Sequence, residues 1–236
     1  MTTTDTIETR PDVLYLGNPV LFVTTRSPEG QVNLAPFSSM WTLGDTMVLG
    51  VSCGSRTGMN LAAGGDVVVN VAGESLWPAA EAMAESTGLH PDLDTRAVRP
   101  DYDPDKFATT GLTEVPSLDV DVPRIAECPM QIEGRVLRET RAQAGHFWIV
   151  EAKVLHVHVH SELVDPETAR FLPEQWRPLL YTFRHYRAAS RTLAVSKRAR
   201  LAAQSRSSAN TVSGSSDRDQ LRSHSQMTRA GMPRRA

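Results

Sequence analysis

The chain has 236 residues, of which 40% are hydrophobic and 22% charged, and its formal net charge is −2 at pH 7. This length allows one large domain or two small ones with a sizeable core, and the charge favours no nucleic-acid partner. The two cysteines, Cys53 and Cys128, lie far apart and lack the spacing of a metal site or a disulfide framework. They predict free thiols, a reducing cytoplasm and no metal.

The two ends of the chain differ in composition from the middle. Residues 1–12 are Thr-rich and acidic, without the features of a signal peptide, and predict a flexible N-terminus. Residues 205–236 carry six arginines against two aspartates, a net charge of +4. We expect this basic tail to be disordered, because it has too few large apolar side chains to offset the entropy of ordering. Residues 13–204 would form one domain, and no apolar run is long enough to predict a membrane span.

Short β-branched and apolar runs fill the first third of the chain, with turn residues between them. They cover residues 19–25, 32–40, 47–51 and 67–71. Such runs predict four strands of a mainly antiparallel sheet or barrel, with one short helix between the third strand and the fourth.

The stretch from Val51 to Asn60 joins the third strand to the short helix and has the chemistry of an anion site. Ser55 or Thr57 can cap the helix, which leaves first-turn N–H groups unpaired. Those groups, the helix dipole, the two hydroxyls and the Arg56 guanidinium would converge on one small volume, as a phosphate requires. The alternative is a plain helix cap beside a solvated arginine, and short motifs alone do not decide between the two.

The middle of the chain contains helical and extended patterns separated by loops. A helix is predicted from Ser75 to Ala84 with Pro78 in its first turn, followed by a surface loop over residues 88–102 and a short helix over 105–108. Residues 132–136 and 147–154 predict two long strands that form a hairpin around Gly145.

Three histidines alternate along the end of the second hairpin strand, at His156, His158 and His160. A period of two places them on one face of the strand, where they could bind a metal. A site built from a single strand is open and needs ligands from elsewhere, whereas a half-buried strand with a polar outer face shows the same alternation. We prefer the second interpretation.

The last part of the folded region carries weaker signals. Asp165 begins a predicted helix, and a second, weakly amphipathic helix is predicted over residues 187–204. Between them, residues 179–186 are the most aromatic segment of the chain. Aromatic side chains at this density pack a core or an oligomer interface, and less often line a ligand pocket.

The order and spacing of four segments resemble the flavin reductase-like family of FMN-binding split barrels. The segments are residues 19–25, 33–39, 51–52 and 55–60, and the resemblance extends from Pro19 to His160 with a weaker echo at residues 183–186. It implies a mainly β fold, a six-stranded split β-barrel with Greek-key-like topology and peripheral helices. Members are usually homodimers with FMN bound near the dimer interface.

The resemblance also implies which residues bind FMN. Ser52 would approach the ribityl chain or the ring edge, while Ser55, Arg56 and Thr57 would hold the phosphate. Asn60 matches the Asn of the Thr-x-x-Asn pattern of the family and would fix the loop. The residues beside the isoalloxazine ring would be Asn33, Ala35, Pro36, Phe37, Ser38 and Ser39.

A histidine near the hairpin turn is the candidate catalytic residue. Relatives that supply reduced flavin to monooxygenases often carry Gly-Asp-His before a late strand, with the His near the nicotinamide. The matching residues are Ala144, Gly145 and His146, so the His is present and the Asp is absent. His146 is therefore predicted to contact nicotinamide, the alternative being an ordinary histidine at the mouth of a strand.

The leading hypothesis for function is an FMN-dependent oxidoreductase. It would take hydride from NADH or NADPH and pass electrons to a second flavin or a small molecule, with a monooxygenase as a partner. The absence of a Gly-x-Gly-x-x-Gly fingerprint leaves the choice of nicotinamide open. The alternatives are a non-catalytic flavin carrier, sensor or electron-transfer protein, and a split barrel holding deazaflavin or haem, for which His156, His158, His160 or His185 could be the axial ligand.

Overall fold

The computed structural model describes residues 5–94, 100–189 and 192–196. The chain divides into two compact units, Met1–Ser190 and Arg191–Ala236. The first contains every strand and helix named below. Residues 192–196 of the second have no regular secondary structure, so the helix predicted over 187–204 is wrong where it can be compared. The tail expected to be disordered, 205–236, lies outside the described residues.

The described residues form fourteen strands, three α-helices and four short 3₁₀-helices. The strands are β1 (Leu16–Pro19), β2 (Leu21–Arg26), β3 (Val32–Phe37), β4 (Met40–Leu43), β5 (Thr46–Ser52), β6 (Val67–Val71), β7 (Ser86–Thr87), β8 (Asp101–Tyr102), β9 (Glu114–Val115), β10 (Arg124–Ile125), β11 (Met130–Arg141), β12 (Phe147–Val159), β13 (Leu179–Thr182) and β14 (His185–Ala188). The helices are α1 (Arg56–Ala62), α2 (Trp77–Ala84) and α3 (Lys106–Thr110), with 3₁₀ turns at Glu74–Leu76, Pro91–Leu93, Ser161–Leu163 and Pro173–Gln175.

Seven strands form the main sheet in the order β3-β2-β6-β11-β12-β5-β4, and each neighbouring pair is antiparallel. Its two edge strands, β3 and β4, are consecutive in the chain, and only Ser38 and Ser39 separate them. The sheet must therefore curl until its edges approach each other, although β3 and β4 are not paired. We call the gap between these edges the seam.

The mainly β, antiparallel prediction is confirmed, but the main sheet has seven strands instead of the six that were predicted, and it is not closed. The predicted single strand over residues 32–40 breaks at Ser38 and Ser39 into β3 and β4. That break produces the seventh strand and leaves the sheet open at the seam. Pro36, which has no N–H to donate, lies in β3, where an edge strand tolerates it.

The apolar core fills the inside of the curled sheet. Its buried members come from β2, β5, β6, β11, β12 and α1, and are Leu21, Val23, Met47, Leu49, Val51, Leu61, Val67, Val69, Val71, Ile132, Val150 and Ala152. Strand β2 is also buried on its other face, where Phe22 packs with Ala80 and Met83 of α2 in a second cluster. Burial on both faces explains the continuous apolar run of this strand, each large side chain contributing about 1.5–3 kcal/mol.

The predicted elements of the middle are present. Helix α2 has its proline in the first turn, and Asp105 caps α3 by accepting a hydrogen bond from the Ala108 N–H at 3.1 Å. Strands β11 and β12 form the expected hairpin around Gly145. The segment predicted as a surface loop differs, because Leu89 is buried and β8 pairs with β7 in parallel. Residues 95–99 of this segment lie outside the described residues.

The helix predicted from Asp165 is replaced by a turn. The Asp165 carboxylate accepts hydrogen bonds from the N–H groups of Glu167 (3.0 Å) and Thr168 (2.8 Å), and Ala169 has a positive φ of 53°. This local capping favours a turn over a helix. The chain then reverses, so that Val164 forms a bridge with Phe171. In the described part of the chain, no helix has the length and apolar character needed to cross a membrane.

Candidate functional site

A cavity of about 460 Å³ lies at the seam, bounded by β3, the end of β5, α1, α2 and the β13–β14 hairpin. Of the residues that the sequence assigned to flavin, all but Asn60 line it. They are Asn33, Ala35, Pro36, Phe37, Ser38, Ser39, Ser52, Ser55, Arg56 and Thr57. The structure therefore brings two separate stretches of sequence, 33–39 and 52–57, to the wall of one cavity.

The turn before α1 is held by Ser55, which is the cap of this helix. Its hydroxyl donates to the Ser52 carbonyl oxygen (2.8 Å) and accepts from the Gly58 N–H (3.0 Å). A Cβ atom at Gly58 would collide with the Ser52 carbonyl oxygen, so the turn requires glycine there. Ser55 thus lines the cavity with its own proton already donated, while the turn places Arg56 and Thr57 on the cavity wall.

A buried network of amides and hydroxyls supports Thr57. The Asn33 side chain donates to the Thr57 hydroxyl oxygen at 2.9 Å, and the Asn60 side chain donates to Thr25 at 3.0 Å. Because the Thr57 oxygen accepts from Asn33, its own proton remains for a ligand, and no acceptor for it lies among the described residues. Asn60 is buried behind the wall, where it ties α1 to β2.

Arg56 closes one end of the cavity together with the segment after β7. Its Nε donates to the Gly88 carbonyl oxygen at 3.3 Å, and its two terminal nitrogens have no hydrogen-bond partner among the described residues. A Cβ atom at Gly88 would collide with the Asn33 side-chain oxygen. Glycine at position 88 lets this segment lie directly against Asn33 without displacing the amide that bonds Thr57.

Lys106 is a second cation in the cavity wall, and no sequence pattern predicts it there. It lies on α3, is only 5% exposed, and its Nζ contacts the Ser86 carbonyl oxygen at 3.5 Å. Lysine is rarely buried to this extent. A single lysine in a short helix gives no signal in sequence, because only the fold brings α3 beside Arg56.

Three tyrosines form another wall of the cavity: Tyr15, Tyr181 and Tyr186. The Tyr181 ring lies 5.3 Å from that of Tyr15 and 5.4 Å from that of Tyr186, measured between centroids. Burial and the hydrogen bond with Glu81 raise the pKa of Tyr186 to about 12, so its phenol stays neutral. The aromatic density of residues 179–186 was visible in sequence, but it also fitted a core or an interface.

The predicted catalytic histidine does not line the cavity. His146 is exposed in the turn between β11 and β12, and its carbonyl oxygen accepts a hydrogen bond from the Cys53 N–H at 3.1 Å. The next residue, Phe147, pairs with Ser52. His146 therefore lies beside the loop that borders the cavity, with its side chain on the solvent side.

The three alternating histidines of β12 each have a partner elsewhere in the chain. His156 bonds Asp119 (2.7 Å), His158 bonds Glu133 (2.7 Å) and His160 bonds the Ala126 carbonyl oxygen (2.8 Å). Within the described ranges, no group of three or more His, Cys, Asp or Glu side chains is placed to hold a metal ion. His156 and His160 fasten the segment that precedes β11 against the sheet, whereas His158 bonds Glu133 within β11.

Comparison with known proteins links the chain to a family and to solved structures. The family model described as flavin reductase like domain matches residues 14–190. "Uncharacterized protein YdfE" of Bacillus subtilis (strain 168) is 34% identical over 183 residues, which cover 76% of this chain and 87% of that protein.

Two solved structures share the fold. The flavoredoxin of Desulfovibrio vulgaris (Miyazaki F) is 18% identical, with a TM-score of 0.66, and the match covers 83% of this chain and 98% of that one. Component B of nitrilotriacetate monooxygenase from Bacillus cereus is 19% identical, with a TM-score of 0.64, over 82% of this chain and 100% of that one.

Proposed function

The chain belongs to the flavin reductase-like domain family, and from this premise we propose that it is an FMN-dependent oxidoreductase. It takes hydride from NADH or NADPH and passes the electrons to a second flavin or to a small-molecule acceptor. One observation carries the proposal: a single cavity at the seam gathers the two stretches, 33–39 and 52–57, that the family resemblance assigns to flavin.

The residues of the cavity fit the parts of FMN. Arg56 and Lys106 offer positive charge and Thr57 a free hydroxyl proton, which are the groups that bind a phosphate. Ser52 is the proposed contact of the ribityl chain, and the ring lies along Ala35, Pro36, Phe37, Ser38 and Ser39. Asn33 positions Thr57, Ser55 shapes the turn, and Asn60 fixes the loop.

When bound, the flavin supplies the hydride chemistry, while the protein orients it and limits access. Such transfer needs two planar rings in close contact and no obligatory protein acid or base. We propose that His146 contacts the reduced nicotinamide. Its exposed side chain beside Cys53 and Ser52 supports contact with a ligand that arrives from solvent.

A homodimer is also part of the proposal, because the outer face of the sheet next to the cavity carries exposed apolar side chains around the half-exposed Glu151. Trp41 of β4 is 58% exposed and Ile149 of β12 is 38% exposed. Their partners on β5, Val48 and Gly50, lie on the same outer face, and Gly50 also lines the cavity. A second copy packed on this face would border the flavin. Sedimentation of the wild type and of Trp41→Glu tests this, and a wild-type monomer contradicts it.

The proposals for the electron acceptor and for the cellular compartment each rest on one observation. Component B of nitrilotriacetate monooxygenase has the same fold, which supports a partner monooxygenase that consumes reduced flavin. Both cysteines are free thiols, which supports a reducing cytoplasm.

A flavin carrier or electron-transfer protein is the second candidate, favoured by the position of His146 outside the cavity. The test is the absorbance of the purified protein with and without added FMN, followed by oxidation of NADH and of NADPH. The enzyme predicts a yellow protein and steady oxidation that rises with FMN. A yellow protein without oxidation indicates the carrier, and a colourless protein that fails to bind FMN contradicts both.

A further inference from the structure

A second cavity, of about 310 Å³, shares part of its wall with the first. The residues common to both are Asn33, Arg56, Gly88 and Lys106. The two cations therefore face both cavities, and a ligand bound to them can extend from the first cavity into the second.

The rest of the second cavity differs in chemistry from the first. Tyr102 of β8 lines it and is 38% exposed. Its aromatic neighbour His90 meets it edge-on, with ring centroids 5.2 Å apart and an interplanar angle of 70°, so His90 does not stack on it. A planar base can stack on such a ring, and bases of any identity do so.

Carboxylates line the same cavity. Asp103 accepts a hydrogen bond from the Asp105 N–H (3.0 Å), and Asp105 in turn caps α3. The exposed side chain of Glu114, in β9, makes no hydrogen bond or ion pair with the described residues. A free carboxylate of this kind accepts hydrogen bonds from ribose hydroxyls, as acidic residues do in dinucleotide sites, and it repels a phosphate on the same ribose. The charges thus confine phosphate to the Arg56 and Lys106 side.

We propose that the second cavity binds the adenosine phosphate half of a dinucleotide whose ribose hydroxyls are free. The phosphate lies at Arg56 and Lys106, the ribose at Glu114 and the adenine on Tyr102. This inference rests on the proposed flavin site, since the shared wall is where the phosphate of FMN is placed. The same adenosine phosphate occurs in FAD and in NADH.

The FAD arm compares two flavins that differ only by the adenylate. FMN and FAD are titrated into the wild type, Tyr102→Ala and Glu114→Gln, with flavin fluorescence as the readout. We expect Tyr102→Ala to weaken FAD by about tenfold, the loss of one base stacking on an aromatic ring, and to leave FMN unchanged. His90→Ala is the matched control, because His90 touches Tyr102 without lining the cavity, and it should alter neither flavin.

The NADH arm uses riboflavin, which has no phosphate and leaves Arg56 and Lys106 to the adenosine phosphate, and it compares NADH with reduced nicotinamide mononucleotide, which lacks the adenylate. If the adenosine phosphate comes from NADH, Tyr102→Ala raises the KM for NADH, leaves kcat and the KM for the mononucleotide unchanged, and does not alter FAD binding. A selective loss in either arm supports the site and identifies its source.

Direct calorimetry with ADP needs no flavin and separates this inference from the proposed function. Binding of ADP to the wild type that is lost in Tyr102→Ala supports the adenosine site even if FMN does not bind. The inference is overturned if ADP does not bind, if Tyr102→Ala weakens FMN and FAD equally, or if FAD and NADH are both unaffected. An equal loss in His90→Ala also overturns it, because the effect would then come from the loop.

Discussion

Two polar regions, one along β11 and β12 and one at the seam, differ in how many of their polar groups have hydrogen-bond partners. Along β11 and β12, each of His156, His158 and Glu133 has a close partner within the chain. At the seam, Arg56 and Thr57 retain donors with no partner among the described residues. Buried polar groups that have hydrogen-bond partners stabilise the fold, whereas donors without partners in a cavity wall can bind a ligand.

Glu133 shows what full satisfaction means. It is completely buried and accepts hydrogen bonds from the N–H groups of Leu118 (2.9 Å) and Asp119 (3.0 Å) and from His158. Burial alone would raise the pKa of this carboxyl, but the hydrogen bonds from Asp119, Leu118 and His158 outweigh it and lower the pKa. The carboxylate fastens the segment before β11, and its burial keeps it out of reach of a ligand.

The largest effect on FMN affinity is expected from removing the hydrogen-bond donors of Arg56 and Thr57 at the seam. Replacing Arg56 and Thr57 together by alanine should weaken FMN binding by about 2–6 kcal/mol, since each hydrogen bond to a charged phosphate contributes about 1–3 kcal/mol. Calorimetry with FMN measures the loss, and the flavin-free variant should still unfold cooperatively, but at a lower Tm because the buried Asn33 amide loses the Thr57 oxygen as its partner. Retention of wild-type affinity would return this stretch to the role of a plain capped helix.

The opposite result is expected along β11 and β12, where a substitution should change stability and not FMN affinity. Glu133→Gln should lower the free energy of unfolding by about 1.5–3 kcal/mol, because the charged acceptor of three hydrogen bonds is lost. FMN affinity should not change. Glu151→Gln is the control, since Glu151 is half-exposed and makes only a 3.9 Å ion pair with Arg138.

The same variant tests the pH dependence of stability. The folded-state pKa of Glu133 is lowered, so its stabilisation is fully present above the ordinary glutamate pKa of about 4.3 and is lost as pH falls through the lower folded value. Urea unfolding at a series of acidic pH values should show a shallower loss of stability in Glu133→Gln than in the wild type. Parallel curves would contradict the assigned role of this carboxylate.

A smaller effect is expected at Asn33, a buried amide whose hydrogen bond positions the hydroxyl of Thr57. Asn33→Ala removes the amide that orients Thr57 and should weaken FMN by about 1 kcal/mol, the contribution of one neutral hydrogen bond. In Arg56→Ala/Thr57→Ala the same change should add little, because its target is gone. The exposed neighbour Gln31 is the control. An equal loss of FMN affinity in Gln31→Ala would show that the Asn33 hydrogen bond to Thr57 is not the cause.

The smallest effect is expected at His146. His146→Ala should raise the KM for NADH or NADPH a few-fold and leave FMN affinity unchanged, because the side chain is exposed and outside the cavity. Steady-state oxidation with saturating FMN measures it. An unchanged KM would show that His146 is an ordinary histidine at the start of a strand and does not contact the nicotinamide.

The sequence carried enough information for elements whose signals are local. The strands around Leu21, Leu49 and Val69, the cap at Ser55 and the β11–β12 hairpin depend on β-branched runs, hydroxyls and turn residues that act within a few positions. The anion chemistry of residues 52–60 is local for the same reason, and the family resemblance joined it to residues 33–39.

The features missed by the sequence depend on distant parts of the chain. The seam forms because Ser38 and Ser39 join two edge strands, and this edge position is fixed only by the pairing of β2, β5 and β12. Lys106 and Tyr186 reach the cavity through the packing of α3 and β14. At Asp165 two outcomes compete locally, and the carboxylate bonds to the backbone favour a turn over a helix start.

The most direct test of the central claim is the affinity of the wild type for FMN compared with riboflavin, which lacks only the phosphate. If the seam is a phosphate-binding flavin site, FMN should bind at least about tenfold more tightly, and Arg56→Ala/Thr57→Ala should erase that difference. Equal affinities for FMN and riboflavin in the wild type would contradict the account.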